Sequence, residues 1–373
     1  MEIREIDNYA DFLSLRERWS NTLSKCDHTV FSTWEWLSIW WKHFGRGKRL
    51  LLLLAEEDDE IIGIAPLMYS VHRTYGLRQG RIEFIGTRQL ASARFIGTPD
   101  SDYNDFIVKK GNEECIKLFI AHLNNLPEKW DCIDLMDIPE TSPSLTFLNK
   151  TSRHLKPVHK CPYISLPQSH DVFLRSLSSK LRKDIRRNLR RLEREGFKID
   201  FVDCSDAQWA KDGMNSFFEL HQKRWKSRGF EGVFEDQRIR DFNLEIAKVF
   251  SQNGWLGLYL LKLSDQPVAA LYGFQYNSKF YFYLSGFNPR YYRYSVGNLL
   301  FSFVVARCIE EGLTELDFMR GAEEYKDRWK TTARWNQRAI IPRKNFFSTL
   351  RTLLYEEYWR QGNRLKYVLG IKR

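Results

Sequence analysis

The sequence predicts a mixed α/β protein made of two related units followed by a basic helical tail. The chain has 373 residues, which exceeds the size at which one hydrophobic core keeps growing. Strand-like apolar runs alternate along it with helices of 3.6-residue period. Residues 49–71 and 255–277 share one layout: a strand, a short turn with an acidic residue, and a second strand. This similarity indicates an internal duplication, and we expect units at residues 1–165 and 166–342 and a tail at 343–373.

The first unit is predicted to hold short strands and three helices. Trp36, Trp40 and Phe44 recur every four residues, which is typical of a helix face that packs into a core. Asp102, Tyr103 and Asp105 fall in a turn, where they either form the turn or contact a substrate. The predicted strands are 3–6, 49–55, 61–71, 82–85, 106–108 and 132–137, and the helices are 9–23, 34–45 and 113–126.

The second unit begins after the proline-punctuated stretch 141–168, which is predicted to be a crossover between units. Ser178 and Ser179 precede a helix with an apolar stripe and six arginines, and residues 217–226 form another helix. Three successive antiparallel strands follow at 255–263, 268–276 and 279–286. Gly297 and Asn298 then open an apolar helix whose first amides could hold a phosphate group.

The segment 314–329, TELDFMRGAEEYKDRW, organises the second unit. A strand over 316–319 ends at Gly321, and a short helical pattern with Glu323, Tyr325 and Lys326 follows at once. A strand that stops at a glycine and releases a helix brings ionisable side chains and backbone N–H groups to one sheet edge, where α/β proteins bind ligands. The alternative is that this short helix supplies core contacts only.

The net charge of +11 is concentrated in two stretches. Residues 171–195 hold nine Lys/Arg and four Asp/Glu (+5), and residues 343–373 hold eight and two (+6), so the rest of the chain is formally neutral. Six arginines on one helix with few acids repel one another, which favours an anionic partner such as phosphate. A protein that coats nucleic acid over its whole surface is not indicated.

Several other classes are not supported by the sequence. The six cysteines show no CxxC spacing, so neither a zinc site nor a disulfide framework is indicated. The first residues are charged and lack an apolar core, and the longest purely apolar run is 50–55. We therefore expect a cytoplasmic protein with no metal.

The order of strands and helices in the second half resembles a Gcn5-related N-acetyltransferase (GNAT) domain. The segment 317–326, DFMRGAEEYK, is similar to a strand, Gly, acid and Tyr-Lys signature of bacterial two-domain acyltransferases. Over nearly its whole length the chain resembles those related to Fem peptidyltransferases and to CelD-like proteins of cellulose and exopolysaccharide synthesis. The other matching segments are 34–45, 97–106, 180–194, 220–225 and 295–300.

The resemblance implies transfer of an acyl group, acetyl first among them, from acyl-CoA to an amine or hydroxyl of an envelope or polysaccharide precursor. The donor would lie between strands 279–286 and 316–319, with its pyrophosphate over the start of the apolar helix. The glycine pattern there departs from the usual GNAT phosphate loop. The implied donor-binding residues are Leu284, Ser285, Gly286, Arg293, Ser295, Val296, Gly297 and Asn298.

The resemblance also implies roles for ionisable residues. Tyr325 is the candidate acid for the leaving thiolate and Lys326 the candidate for charge stabilisation, while Glu323 and His221 compete as the base. A lone histidine on a helix is more often structural, and that role is the alternative for His221. Asp102, Tyr103, Asp105 and Trp225 are the candidate acceptor contacts. We expect the first half to bind the acceptor and the second half the donor.

Two other functions stay open at the level of sequence. The first is a Fem-type transferase that uses aminoacyl-tRNA, which the arginine helix favours. The second is a non-catalytic nucleic-acid-binding or scaffold protein, which only the net charge supports.

The basic tail reads as an amphipathic helix or pair of helices. Phe346, Phe347, Leu350 and Trp359 alternate there with Arg351, Arg360, Arg364 and Lys366. It would either pack on the first unit or contact the anionic inner face of a membrane, where lipid-linked acceptors are met.

Overall fold

The computed structural model describes residues 1–73, 76–78, 81–83, 89–126, 130–152 and 154–368. Side chains at 72–89, at 154 and beyond 357 lie outside that description. The chain forms two compact units, Met1–Val158 with Asn336–Arg373, and His159–Trp335. It passes from one unit to the other twice, each time within a β-strand. No helix in the described ranges has the length and apolar character needed to cross a membrane.

Strands and helices alternate throughout both units. The strands are β1 Glu2–Ile6, β2 Arg49–Glu57, β3 Glu60–Arg73, β4 Gly76–Arg78, β5 Arg81–Glu83, β6 Gln89–Phe95, β7 Ile107–Val108, β8 Cys132–Pro139, β9 His154–Ser165, β10 Ile199–Asp203, β11 Leu256–Leu263, β12 Gln266–Tyr276, β13 Lys279–Phe287, β14 Glu315–Asp317 and β15 Thr332–Pro342. The α-helices are α1 Tyr9–Ser14, α2 Arg16–Leu23, α3 Trp34–Phe44, α4 Cys115–Asn125, α5 Ser144–Thr151, α6 His170–Ser176, α7 Ser179–Arg194, α8 Ala207–Lys226, α9 Gln237–Gln252, α10 Val296–Glu310, α11 Glu324–Asp327 and α12 Phe346–Val368. Short 3₁₀ helices cover Val30–Ser32, Val233–Glu235 and Pro289–Tyr294.

The first unit is built on a mixed sheet in the order β1, β2, β3, β6, β8 and β15. Neighbours are antiparallel except β6 and β8, which are parallel at Ala93 and Ile133. Every second residue of β2 faces α4, which is why Leu51 and Leu53 share a core with Phe119 and Ile120. The C-terminal half of β15 completes this sheet beside β8.

The second unit repeats this plan in the order β10, β11, β12, β13, β14 and β9. Its one parallel pair is β13 with β14, from Lys279 opposite Glu315 to Tyr281 opposite Asp317. Apolar residues of α7 and α10 pack with β12 and β13 in one core, for example Leu181, Ile185 and Val304. Each unit therefore contains four antiparallel strands, one parallel step, and a last antiparallel strand, which is the duplication expected from the sequence.

The mixed α/β class is confirmed, and the boundaries differ from prediction in informative places. The first unit ends at Val158 rather than at residue 165, and residues 336–342 and the tail belong to it. The stretch 141–168 contains α5 and β9 instead of a plain crossover, although β9 includes Pro162. A proline lacks only the N–H, and the Pro162 carbonyl still accepts from Phe318 N (2.9 Å).

Two predicted elements also changed in length, and a third lies partly outside the described residues. The predicted helix 9–23 is divided at Leu15 into α1 and α2. Strand 316–319 is shortened to β14 because Met319 adopts φ 60°, a left-handed conformation that ends the extended chain. For the predicted strand 82–85, β5 covers Arg81–Glu83, and residues 84–85 lie outside the described residues.

Candidate functional site

In the second unit the two parallel strands end at different points, which leaves one edge of β13 without a paired strand. β14 stops at Asp317, but β13 runs on from Tyr281 for six residues, to Phe287. The pairing of β12 with β13 shifts at Tyr272/Gly273, so that Tyr283 is the extra residue of a bulge. A bulge at the end of a parallel pair redirects the strand and exposes backbone groups to a ligand. This edge carries Leu284, Ser285 and Gly286.

Gly286 is required by close packing of α8 on β13. A Cβ at Gly286 would lie 2.3 Å from the backbone N of His221 and 2.6 Å from the carbonyl carbon of Leu220. Only glycine allows a helix backbone to approach a strand this closely. The packing brings the last two turns of α8 against the open half of β13.

Arg224 of α8 reaches this open half. Its Nη1 donates to the carbonyl oxygen of Ser285 (3.3 Å) and to Ser285 Oγ (3.1 Å). The guanidinium lies 5.3 Å from the centre of the Phe287 ring, and its Nε is buried with no hydrogen-bond partner. No carboxylate of the described chain pairs with it. Burial, together with the nearby Arg228, lowers the pKa of Arg224, and Tyr325 and Glu323 oppose this shift. A half-buried guanidinium without a hydrogen-bonded carboxylate is suited to an anionic group that approaches it.

Lys326 holds the loop that follows β14. Its Nζ donates to the carbonyl oxygens of Phe318 (3.1 Å), Arg320 (3.2 Å) and Gly321 (3.2 Å), and it pairs with Glu323 Oε2 at 2.9 Å. The residue is 3% exposed. With three carbonyls and one carboxylate as partners, the ammonium group has no donor left for a substrate. The structure thus replaces the predicted charge stabilisation by Lys326 with a positioning role.

Gly321 and Glu323 are fitted to one another. Gly321 has φ 124°, and a Cβ there would lie 2.4 Å from Glu323 Oε2. A side chain at 321 would be strained by the backbone and blocked by the carboxylate. The turn therefore fixes the Glu323 carboxylate at the start of α11.

Tyr325 is an accessible residue of α11. It is 37% exposed, and its ring packs edge-on against Phe318 at 6.3 Å. Burial around the hydroxyl and the Glu323 carboxylate raise the pKa of Tyr325, and Arg224 opposes them. The phenol therefore keeps its proton at neutral pH and is able to donate it.

His221 is unsuited to the role of base. It is 2% exposed, and Trp225 Nε1 donates to its Nε2 at 3.0 Å. Since an indole nitrogen can only donate, Nε2 must be the unprotonated acceptor, and its lone pair is used. Burial and the nearby Arg224 lower the pKa of His221 to about 3. The structural role considered from the sequence fits this geometry, and Trp225 serves as its partner.

The start of α10 presents backbone amides at the predicted phosphate position. Ser295 has φ 51° and ψ 43°, and its carbonyl accepts from Asn298 N (2.8 Å) and Leu299 N (3.1 Å). Val296 is buried, whereas a Cβ added at Gly297 would meet nothing within 4 Å. Gly297 therefore marks open space over the first turn of a 15-residue helix.

Arg293, the predicted cation near this turn, is already paired with a carboxylate. Its Nη2 pairs with Glu195 Oε2 at 2.9 Å, and it also contacts the Tyr294 hydroxyl, which in turn bonds Glu195. Hydrogen bonding to Tyr294 raises the pKa of Arg293. The predicted pyrophosphate contact by Arg293 would require this cluster to open.

The predicted acceptor residues of the first unit lie in a buried turn. Asp102 and Tyr103 are 7% and 3% exposed, and the Asp102 carbonyl accepts from Asn336 Nδ2 (2.7 Å). Asp105 Oδ1 accepts from Ser144 Oγ (2.7 Å), and burial raises the pKa of Asp105 to about 6. This placement favours turn formation, the other role considered for them.

α7 presents a strongly basic face beside a polar pocket. Leu181, Ile185 and Leu192 turn into the core, while five side chains of the helix carry positive charge without an acidic partner in the described chain. These are Lys180, Arg182, Lys183, Arg186 and Arg190. A pocket of about 580 Å³ near the start of the helix is lined by Ser176, Ser178, Lys180, Leu181, Asp327, Arg328 and Lys330.

Arg224 is the site residue that sequence reasoning missed. It was visible only as part of the HQKRW segment, whose likeness to LRERW at 15–19 was attributed to duplication. Both copies have arginine before tryptophan, so the sequence holds no signal that separates them; the difference appears only in the structure, where Arg18 pairs with Glu56 at 2.8 Å and Arg224 has no such partner among the described residues. Within the described residues, no group of His, Cys, Asp or Glu is arranged to hold a metal.

A comparison with known protein families gives a match within the second unit. Residues 179–327 match the family model described as an acetyltransferase (GNAT) domain. No curated protein sequence matches the chain significantly. The match to an acetyltransferase (GNAT) domain therefore lies within the second unit and covers less than half of the chain.

Solved structures show the same fold over most of the chain. FemX has a TM-score of 0.62 at 13% identity, covering 95% of this chain and 99% of FemX. The C-terminal domain of a putative lysylphosphatidylglycerol synthetase from Agrobacterium fabrum gives 0.54 at 11%, covering 94% and 96%. L-PGS from Bacillus licheniformis gives 0.53 at 12%, covering 92% and 96%. The fold is therefore Fem-like, and the CelD-like relation stays a prediction.

Proposed function

We propose that the second unit transfers an acyl group from a donor held in the cleft between β13 and β14 to an amine or hydroxyl. The observation that carries this proposal is that a half-buried arginine without a hydrogen-bonded carboxylate, Arg224, and an accessible protonated phenol, Tyr325, both lie near the end of a parallel strand pair. A GNAT domain match over this unit supports the reaction class.

The donor in this proposal is acetyl-CoA or a longer acyl-CoA. Its acyl arm lies along Leu284, Ser285 and Gly286, where β13 continues past β14. Its pyrophosphate lies over Ser295 to Asn298, where the helix dipole and the first amides favour negative charge. Arg293 joins it only if its pair with Glu195 opens.

Four side chains take part in the proposed reaction. The acceptor nitrogen or oxygen attacks the thioester carbonyl carbon, and the negative charge on the carbonyl oxygen is stabilised by Arg224. The C–S bond then breaks, and Tyr325 donates a proton to the departing sulfur. Glu323 takes the acceptor's proton, directly or through water. Lys326 fixes the loop that carries Glu323 and Tyr325.

The acceptor in this proposal is a cell-envelope or polysaccharide precursor. The structural likeness to a lysylphosphatidylglycerol synthetase, a protein named for a lipid product, supports an acceptor of this general kind. Such precursors are met in the cytoplasm at the inner face of the membrane. Trp225, beside Arg224 on α8, is retained as an acceptor contact.

A second candidate is a Fem-type transfer from aminoacyl-tRNA. The unpaired cations on α7 support it, because a regular array of positive charge suits a phosphate backbone. The likeness to FemX supports it as well. In that case the same cleft would accept the aminoacyl ester and the α7 face would bind the tRNA.

Calorimetric titration separates these candidates. We expect acetyl-CoA to bind the wild-type protein and to lose binding in the double variant Arg293→Ala, Gly297→Glu, because the glutamate places a negative charge on the phosphate position. Gly297→Ala is the matched control, since a methyl group there has open space and no charge. Retained binding by the double variant would refute the donor position. If no acyl-CoA binds the wild type, the aminoacyl-tRNA candidate replaces it.

A further inference from the structure

The C-terminal helix α12 is attached to the first unit by its polar side. Four of its polar residues are buried, at 1–7% exposure. They recur at intervals of three or four residues and therefore share one face of the helix. These residues are Ser348, Thr352, Tyr355 and Glu356, and their partners include Asp131 (3.2 Å from Ser348 Oγ), Asp134 (3.1 Å from Tyr355 OH) and Lys156 (2.9 Å from Glu356 Oε1).

The opposite side of α12 is apolar and exposed. Phe346 is 75% exposed and Phe347 is 71% exposed, and Leu350, Leu353 and Leu354 are 38–48% exposed. Their spacing places all five along one stripe of the helix. A helix docked on a globular unit normally turns such a stripe inward. The reversed orientation leaves a continuous apolar surface in water, which marks an interaction site.

Positive charge lies at the start of this stripe. Arg343 and Lys344 precede it, and Arg351 lies within the helix at 51% side-chain exposure. From 343 onward the sequence has eight Lys/Arg against two acids. One of those acids, Glu356, is buried and paired with Lys156. Arg351 also pairs with Asp131 at 3.1 Å, and Glu357 is exposed, so among the described side chains the positive charge lies mainly at the start of the stripe, at Arg343 and Lys344.

We propose that the exposed stripe of α12 docks on an anionic lipid bilayer. Phe346, Phe347 and the leucines would enter the boundary between headgroups and acyl chains, while the flanking cations contact lipid phosphates. The helix is already folded and held by its polar face, so membrane binding requires no ordering of the segment. Contact with a second copy is disfavoured, because a two-fold contact would bring equal positive charges together. This inference is independent of the reaction proposed above.

Co-sedimentation of the full chain with vesicles tests the docking surface. We expect the wild type to bind phosphatidylcholine vesicles that contain phosphatidylglycerol about tenfold more tightly than phosphatidylcholine alone, and binding to weaken with salt. The variant Phe346→Ser, Phe347→Ser should lose about tenfold of that affinity, since both rings are removed from the interface. The matched control is Val172→Ser, Trp209→Ser, which removes two exposed apolar side chains of the second unit and should bind as wild type.

Three outcomes would overturn the proposal. They are equal binding by the Phe346/Phe347 variant and the wild type, no binding to vesicles of either composition, and a wild-type dimer in sedimentation velocity that the variant abolishes. The last result would assign the stripe to self-association. Because both rings are exposed, the thermal midpoint of the variant should match that of the wild type, which keeps a loss of binding distinct from unfolding.

Discussion

The two units share one sheet plan but differ where their parallel strands end. In the first unit the residues directly beyond the last parallel pair are Arg94 and Asp134, which form an ion pair at 2.9 Å. In the second unit the corresponding residues are Phe282 and Phe318, whose ring centres lie 5.7 Å apart, and β13 continues to Phe287 paired with β12 but no longer with β14. An ion pair therefore links the strands of the first unit at the point where an aromatic contact links those of the second.

In the first unit, two further residues bind the Asp134 carboxylate that pairs with Arg94. Arg338 is fully buried and binds Asp134 through Nε (2.7 Å) and Nη2 (3.0 Å), and Tyr355 of α12 donates to the same carboxylate. Burial would raise the pKa of Asp134, but Arg338 and Arg94 outweigh it and lower that pKa. The comparison shows that Asp134 neutralises the cations at this point of the first unit, whereas Arg224 of the second unit has no carboxylate hydrogen-bond partner among the described residues, which supports the role proposed for it.

The largest effect is expected for Asp134→Ala. It would leave Arg338 and Arg94 buried without a counter-charge, and the free energy of unfolding should fall by about 3–5 kcal/mol. Urea denaturation measures this, with Glu219→Ala as the control, because the exposed pair of Glu219 and Lys223 should contribute about 1 kcal/mol or less. A loss below that of the control would show that the network does not close the first unit.

Tyr325→Phe removes the acid of the second unit without changing its shape. Release of free thiol from acetyl-CoA in the presence of an acceptor should slow by about a hundredfold or more, with donor affinity unchanged. Tyr276→Phe, elsewhere in the same unit, is the matched control. Full turnover by Tyr325→Phe would remove the assignment of the acid.

Arg224 distinguishes charge stabilisation from simple binding. Arg224→Met should lower kcat by about a hundredfold if the guanidinium stabilises the oxyanion, and Arg224→Lys should recover part of the loss because it restores the charge but not the fork geometry. A rise in acceptor KM with kcat unchanged would instead assign Arg224 to acceptor binding.

Gly286→Ala tests the packing that brings Arg224 to β13. The added methyl group meets the backbone of α8, which cannot move aside cheaply, so a loss of about 1–3 kcal/mol in stability is expected. Gly297→Ala should cause no loss, since its surroundings are open. Equal stabilities of the two variants would contradict the close approach.

The smallest effect concerns pH. The pKa of Asp105 is raised in the folded protein to about 6, so its contribution to stability is present at acid pH and is lost as pH rises from about 4 through 6. Asp105→Asn, which resembles the protonated acid, should flatten this decline by about 1 kcal/mol in denaturation curves at pH 4.5 and 7. If the free energy of unfolding of the variant depends on pH as that of the wild type does, the pKa of Asp105 is not raised in the folded protein.

The sequence predicted the mixed α/β class, the duplication and most strands, because apolar periodicity reports which face of an element is buried. It also placed Gly286 and Ser285 at the end of a central strand. It did not predict that His221 Nε2 would accept a hydrogen bond from Trp225, or that Lys326 would bind three carbonyls. Those outcomes depend on side-chain partners, which spacing along the chain does not determine.

The sequence likewise could not decide how the tail would be oriented. Its amphipathic pattern is visible from Phe346 to Leu354, but whether the apolar stripe faces inward or outward depends on Asp131, Asp134 and Lys156 of the first unit. These residues are more than 180 positions away in the chain, and only the fold brings them to Ser348, Tyr355 and Glu356.

Hydrogen–deuterium exchange with and without acetyl-CoA tests most directly which unit holds the donor. The comparison of the two units predicts slower exchange at residues 282–287 and 296–299 of the second unit, with no change at 92–95 and 132–135 of the first. Slower exchange in β6 and β8 instead, with β13 unchanged, would contradict this assignment. It would place the donor in the first unit, where Arg94 and Asp134 form an ion pair.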